Sequence, residues 1–130
     1  MEPSDRLRQH PRDRWPDSVQ RIDLTSAIAG LKAEAHHAIA GHHQIALGRH
    51  GPVTFLLFVF ETGGLLKEHE AEGVVTIHVL SGHLEVTAGE QPHDVRMGQL
   101  LVLSARVRHA VRALEPSEVL VTVHKHSEAS

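Results

Sequence analysis

Short apolar runs separated by turn residues dominate the chain after residue 43. Each run is four to eight residues long, and glycine, proline or serine divides it from the next. We therefore predict strands at 44–47, 53–60, 74–80, 84–88, 100–103, 110–114 and 119–123. Many short strands with regular punctuation and no helices between them are typical of an all-β sandwich or barrel.

A helical pattern precedes these strands. Apolar side chains recur at helical spacing at Leu24, Ile28, Leu31, Ala35 and Ile39. With Asp23 as the N-cap and Gly41 as the stop, we predict one N-terminal α-helix over 23–40. Residues 1–22 are rich in proline and arginine and poor in apolar side chains, which predicts a mobile tail. The folded domain is expected over 23–126, with the barrel at about 44–125.

The strand predicted at 53–60, VTFLLFVF, is apolar on both faces. An antiparallel strand with one face in water should alternate instead. One face must fill the core, and the other needs a cover, which the helix or a second subunit could provide. If a second subunit provides the cover, we expect it to cover Phe58 and Phe60.

Composition indicates the number of domains and the cellular compartment, but it does not indicate a reaction. The chain has 130 residues, enough for one domain with a core. It has no cysteine, which excludes disulfides and cysteine-ligated zinc and favours the cytoplasm. No signal peptide and no apolar run near the ~18 residues of a membrane span is present, so we expect no membrane partner. A formal charge of -3 gives no reason to expect nucleic acid.

Thirteen histidines are the unusual feature of the composition. Most are expected at the surface, including the group at the end of the predicted helix that comprises His36, His37, His42 and His43. On the strand at 74–80, alternation places His78 on the face opposite Val75. His69 and His109 differ because each lies near a glycine-punctuated turn beside a predicted strand.

The segment that contains His69 resembles the first motif of the cupin superfamily. It reads GGLLKEHEAEGVVTIHVLSG over 63–82. Five residues separate Gly63 from His69, and Gly82 closes the motif. Where the family has a second histidine this chain has Ala71, and where the family has a glutamate it has Val75. The resemblance therefore implies that Val75 faces into the barrel and that His78 points outward. The first motif is therefore degenerate.

The segment before His109 resembles the second cupin motif. It reads GQLLVLSARVRH over 98–109. Gly98 and His109 match the spacing, while Ser104 and Arg106 replace the usual proline and glycine. The resemblance implies a small single-domain cupin, an RmlC-like jelly roll built as an antiparallel β-barrel, and it favours a homodimer.

Two of the family's four metal-ligand positions are filled, by His69 and His109. Two imidazoles with one further ligand, from Glu70, Glu72 or His78, could hold iron, manganese, nickel or zinc. The other interpretation is a pocket without metal, in which the histidines hydrogen-bond a ligand.

Three functions stay open. The first is binding of a small molecule in the barrel, with a reduced metal site around His69 and His109. The second is a metal-dependent dioxygenase or isomerase that uses the same two histidines. The third is a non-catalytic sensing or structural dimer with a packed barrel. The sequence contains no nucleophile motif and no nucleotide fingerprint, and it leaves the ligand unidentified.

Overall fold

The structure is a computed structural model that describes residues 18–34 and 38–125. The predicted tail up to residue 17 lies outside the described residues, as do His36 and His37. One helix, α1 (Leu24–Lys32), precedes nine strands in the described part of the chain. The strands are β1 (His42–His50), β2 (Val53–Phe60), β3 (Leu65–His69), β4 (Val74–Ser81), β5 (His83–Ala88), β6 (Gln91–Arg96), β7 (Leu100–Leu103), β8 (His109–Ala113) and β9 (Ser117–His124).

The strands form two antiparallel sheets. One has five strands in the order β1-β2-β9-β4-β7, and the other has four in the order β3-β8-β5-β6. Side chains that alternate along β4 and β5 are buried between the sheets, among them Val75, Ile77, Val79, Leu84 and Val86. The predicted all-β jelly roll with one N-terminal helix is confirmed.

Gly82 makes the corner between β4 in one sheet and β5 in the other. Its φ is 102°, in the left-handed region that favours glycine. A Cβ at this position would collide with the side chain and backbone of Ser117. The hydroxyl of Ser117 in turn accepts a hydrogen bond from the backbone N–H of His83 at 3.0 Å. The glycine that closes the first motif is thus required by the backbone.

Helix α1 is shorter than the predicted 23–40. The Asp23 carboxylate caps it by accepting from the N–H of Ser26 at 3.1 Å, and the helix ends with Ala33 as its C-cap. Leu31 is the only fully buried residue of α1. Burial of apolar side chains therefore contributes little to the stability of a longer helix. Ile39, assigned to the helix by its spacing, lies exposed in an isolated bridge with His42. No helix of the described residues is long and apolar enough to cross a membrane.

Strand β2 is covered on both faces within the single chain. Phe58 and Phe60 line the inside of the barrel with Leu56, and they are only 5% and 3% exposed in the single chain. The expectation that a second subunit covers them is therefore wrong, because the opposite sheet already does. On the other face of β2, Leu57 is fully buried, and α1 packs against β1 and β2.

Two strands are absent from the sequence prediction, and both are edges of the four-stranded sheet. In β3 no side chain is fully buried, and in β6 only Val95 is. Such edge strands are specified by backbone pairing with β8 and β5 rather than by an apolar pattern. His69 and His93, which lie outside the predicted strands, accordingly belong to β3 and β6.

Candidate functional site

A cavity of about 80 Å³ lies between the two sheets. This is several times the ~10–15 Å³ that one water molecule requires. His69 and His109 are its only polar lining side chains among the described residues. The remaining lining is aliphatic or aromatic and includes Leu56, Phe58, Leu66, Ile77, Val111 and Val121.

A β-bulge brings His69 to this cavity. Leu66 of β3 pairs with Val111 of β8, and His69 pairs with His109. Three steps along β3 therefore oppose two along β8, which leaves one extra residue in β3. Since side chains alternate between faces, Leu66 and His69 would otherwise point to opposite sides of the sheet. The extra residue turns both toward the cavity, where Val111 and His109 also lie.

The two imidazole rings are neighbours. Their centroids are 4.3 Å apart, and the ring planes are tilted by 58°. The surroundings differ, because His109 is only 4% exposed while His69 is exposed at the mouth. The site thus has one histidine in the protein interior and one that solvent can reach.

Each ring is fixed by the same type of hydrogen bond. Nδ1 of His69 donates to the carbonyl of Lys67 at 2.8 Å, and Nδ1 of His109 donates to the carbonyl of Val107 at 2.9 Å. Because a carbonyl oxygen only accepts, Nδ1 carries the proton in both rings. In its neutral form each ring therefore keeps a lone pair on Nε2.

Neither Nε2 has a hydrogen-bond partner within the described part of the chain. Over 18–34 and 38–125, only one side-chain nitrogen or oxygen is both sealed, meaning inaccessible to solvent, and without a hydrogen-bond partner. That atom is Nδ1 of His42. Nε2 of His109 is consequently not sealed, although the residue as a whole is buried. It is available to a molecule in the cavity.

Burial lowers the pKa of His109, and the nearby His69 lowers that pKa further. The hydrogen bond to the carbonyl of Val107 acts in the opposite direction, but the effect of burial is larger. An imidazolium would lose its hydration in the apolar interior, so the neutral ring is favoured. His109 therefore presents a hydrogen-bond acceptor over a wider pH range than a solvated histidine does.

Charged residues at the rim pair with each other. Arg108 lies 3.3 Å from Glu68 and 3.7 Å from Glu70. The hydrogen bond and charge of Glu68 raise the pKa of Arg108. The backbone N–H of Arg106 donates to the carbonyl of Ala71 at 2.8 Å. These contacts join the loop before β8 to the end of β3, so that both histidines are held by one structural unit.

The residues considered as further metal ligands lie away from the histidine pair. His78 is on the face of β4 opposite Val75, next to Leu100 and Leu120 in the neighbouring strands. Glu72 is exposed in the loop after β3. Within the described ranges, no group of three His, Cys, Asp or Glu side chains is placed to hold a metal ion.

The donor set at the cavity does not fit a firmly held metal. Ala71 and Val75, at the positions of the family's histidine and glutamate, both line the cavity with apolar groups. Protein metal sites of this type take at least three side chains. Two imidazoles alone leave most of the coordination sphere to water.

A two-sheet jelly roll with a cavity between its sheets is the architecture of cupins. A family model described as the cupin domain matches residues 56–125, more than half of the chain, and the chain belongs to this family. No curated protein sequence matches the chain.

Solved structures show the same fold. A cupin superfamily protein from Desulfitobacterium hafniense is 24% identical with a TM-score of 0.64, over 72% of this chain and 84% of the other. An RmlC-like cupin from Shewanella frigidimarina is 16% identical with a TM-score of 0.64, over 74% and 86%. A salicylate 1,2-dioxygenase variant from Pseudoaminobacter salicylatoxidans is 14% identical with a TM-score of 0.71, over 94% and 42%.

Proposed function

We propose that this cupin binds a small, largely apolar molecule in its barrel, with His69 and His109 as the polar anchors. The observation that carries the proposal is the cavity, which is apolar except for two adjacent imidazoles. Sites for small molecules typically combine an apolar wall with a few convergent polar groups. The cavity also argues against a barrel that is simply packed.

A metal-dependent dioxygenase or isomerase is the alternative. Other cupins of this fold include a dioxygenase, but identities below 25% carry the fold and not the reaction. Such chemistry needs a metal held by more ligands than His69 and His109. With Ala71 and Val75 at the other two positions, we favour the binding function.

Filling the cavity tests the proposal. In Ala71→Phe the larger ring occupies space at the cavity wall, and we expect bound toluene, used as an apolar probe, to be excluded. Thr87→Phe is the matched control, because Thr87 is exposed on β5 between inward-facing neighbours. Protein NMR titration should show saturable shifts at cavity residues in the wild type and the control only. Equal binding in all three proteins, or no binding in the wild type, would reject the proposal.

We also propose that the protein pairs as a homodimer, as the resemblance to cupins implies. In support, Leu100 and Val102 on the edge strand β7 are apolar and each 57% exposed. Sedimentation velocity over a range of concentrations measures the mass directly. A monomer at every concentration would end this proposal without affecting ligand binding.

A further inference from the structure

The side chains that line the cavity offer hydrogen-bond acceptors and no donors. With Nδ1 of each ring donating to a backbone carbonyl, neutral His69 and His109 both present an Nε2 lone pair. The other described lining side chains are apolar and have no N–H or O–H group. A molecule that enters must therefore supply the hydrogen itself, or leave two acceptors without a partner.

This polarity disfavours anions. A carboxylate inside the cavity would lose its hydration without gaining a donor, which is costly in an apolar environment. Arg108 could supply a donor near the mouth, but Glu68 and Glu70 already engage its guanidinium. A cation is disfavoured for a related reason, because no carboxylate is among the described residues that line the cavity.

A neutral hydroxyl compound satisfies both halves of the site. Its O–H donates to Nε2 of the buried His109, while its hydrocarbon body contacts the side chains of Phe58, Leu66 and Val111. An amide would also bring a donor, but its carbonyl is a strong acceptor that finds no donor here. One hydroxyl hydrogen satisfies one acceptor, and we assign it to the buried His109, because Nε2 of the exposed His69 can accept from water.

We infer that the ligand of this cavity is a small alcohol or phenol, recognised as a hydrogen-bond donor by Nε2 of His109. This inference rests on the proposed binding function and adds the chemical class of the ligand. It assigns the role of acceptor of the ligand hydroxyl to the buried histidine, while Nε2 of the exposed His69 accepts from water at the mouth.

Two probes of nearly equal size test the inference. Phenol and toluene differ by a hydroxyl against a methyl group, and benzoate supplies the anion. We expect phenol to bind about 10-fold more tightly than toluene, as one hydrogen bond is worth, and benzoate to bind more weakly than both. Toluene binding as tightly as phenol would mean that water keeps the two acceptors, and the inference would fall while the proposed function stands. No binding of any probe would overturn both.

Replacing the acceptors sharpens the comparison. His109→Leu removes the acceptor of the ligand hydroxyl and should reduce the preference for phenol over toluene several-fold. His69→Leu removes an acceptor that water can satisfy and should keep most of the preference. If His109→Leu does not fold, the change in the ¹⁵N shift of His109 Nε2 on adding phenol to the wild type decides instead. His124→Gln is the control, because His124 is exposed at the end of β9 away from the cavity lining. A preference unchanged in folded His109→Leu, or no change at His109 Nε2 on adding phenol, contradicts the inference.

The protonated nitrogen can be observed without any ligand. Long-range ¹H–¹⁵N correlation spectra distinguish a neutral ring protonated on Nδ1 from one protonated on Nε2. For His69 and His109 we expect the Nδ1–H form, with phenol perturbing Nε2 more than Nδ1. An Nε2–H form of His109 would make that ring a donor and would refute its assigned role.

Discussion

Histidines meet at two places in this fold, and only one of them has the properties of a site. At the cavity, His69 and His109 lie on paired strands with both Nε2 atoms without a protein partner among the described residues. At the junction between α1 and β1, His42 and His43 are consecutive in the chain. Both places bring two histidines together. They differ in the partners of each ring nitrogen.

At the junction, the rings of His42 and His43 interact with other side chains of the protein. Nδ1 of His43 lies 2.7 Å from the Glu34 carboxylate. Nε2 of His42 donates to the amide oxygen of Gln44 at 2.9 Å, and the ring packs 5.4 to 5.5 Å from those of Phe58 and Phe60. The remaining Nδ1 of His42 is sealed from solvent.

The comparison shows that the number of histidines says little about function in this chain. A ring can serve a ligand only when one nitrogen is fixed by the protein and the other opens onto accessible space. His69 and His109 meet both conditions. His42 meets the first and fails the second.

Restoring the family's ligand set should produce the largest effect. We expect Ala71→His combined with Val75→Glu to convert the cavity into a metal site, because both positions line it beside His69 and His109. Nickel, manganese, iron or zinc should then stabilise the variant by ~2.7 kcal/mol at a hundredfold excess over the dissociation constant. Thermal unfolding with elemental analysis measures this gain.

The control for that variant carries the same two changes with His69→Leu added, and it should lose most of the gain. Wild-type protein should be stabilised weakly or not at all by the same metals. A full equivalent of tightly bound metal in untreated wild type would contradict our interpretation of the donor set. A nickel effect that survives in both His69→Ala and His109→Ala would place the metal among the histidines near the junction, which include His42 and His43.

The next largest effect should be a difference in the free energy of unfolding between a variant of His42 and a variant of His109. His42→Leu removes a sealed acceptor that has no partner, so the free energy of unfolding should be unchanged or rise by up to about 1 kcal/mol. His109→Leu leaves the carbonyl of Val107 without its donor and should lower the same free energy by about 1–3 kcal/mol. Urea unfolding of both variants gives the two values. The opposite order would show that the ring of His42 stabilises the fold through its aromatic contacts.

Much of this contrast could be predicted from the sequence, because it depends on alternation. The match of Val75 to the family's glutamate position implies that Val75 faces inward, and it lines the cavity. The same alternation puts His78 on the other face. The motif spacing indicates that His69 and His109 share one cavity, and their rings are adjacent.

The remaining features depend on pairing that no local pattern encodes. The bulge between Leu66 and His69 exists only relative to β8, so the sequence alone does not show which way His69 points. Strands β3 and β6 were missed because edge strands bury few side chains. The sealed nitrogen of His42 likewise follows from the packing of Phe58 and Phe60 against its ring, and nothing in the local sequence signals it.

The smallest effect should appear in the pH dependence of stability. Burial lowers the pKa of His109 in the folded protein below the ordinary value of about 6.5. Between these two pKa values the unfolded chain binds more protons at this residue than the native state does. The contribution of His109 to the free energy of unfolding should therefore rise with pH through this window and be constant above it.

The measurement is the free energy of unfolding against pH for wild type and for His109→Gln. We expect the variant to show a shallower rise below pH ~6.5, because one proton-linked group is removed. His78→Gln, on the outward face of β4, should keep the wild-type slope if the effect is specific to the buried ring. An NMR titration that places the pKa of His109 above its ordinary value would reverse the predicted slope. The interior of the barrel would then favour the charged ring, and the contrast with the sealed nitrogen of His42 would lose its physical basis.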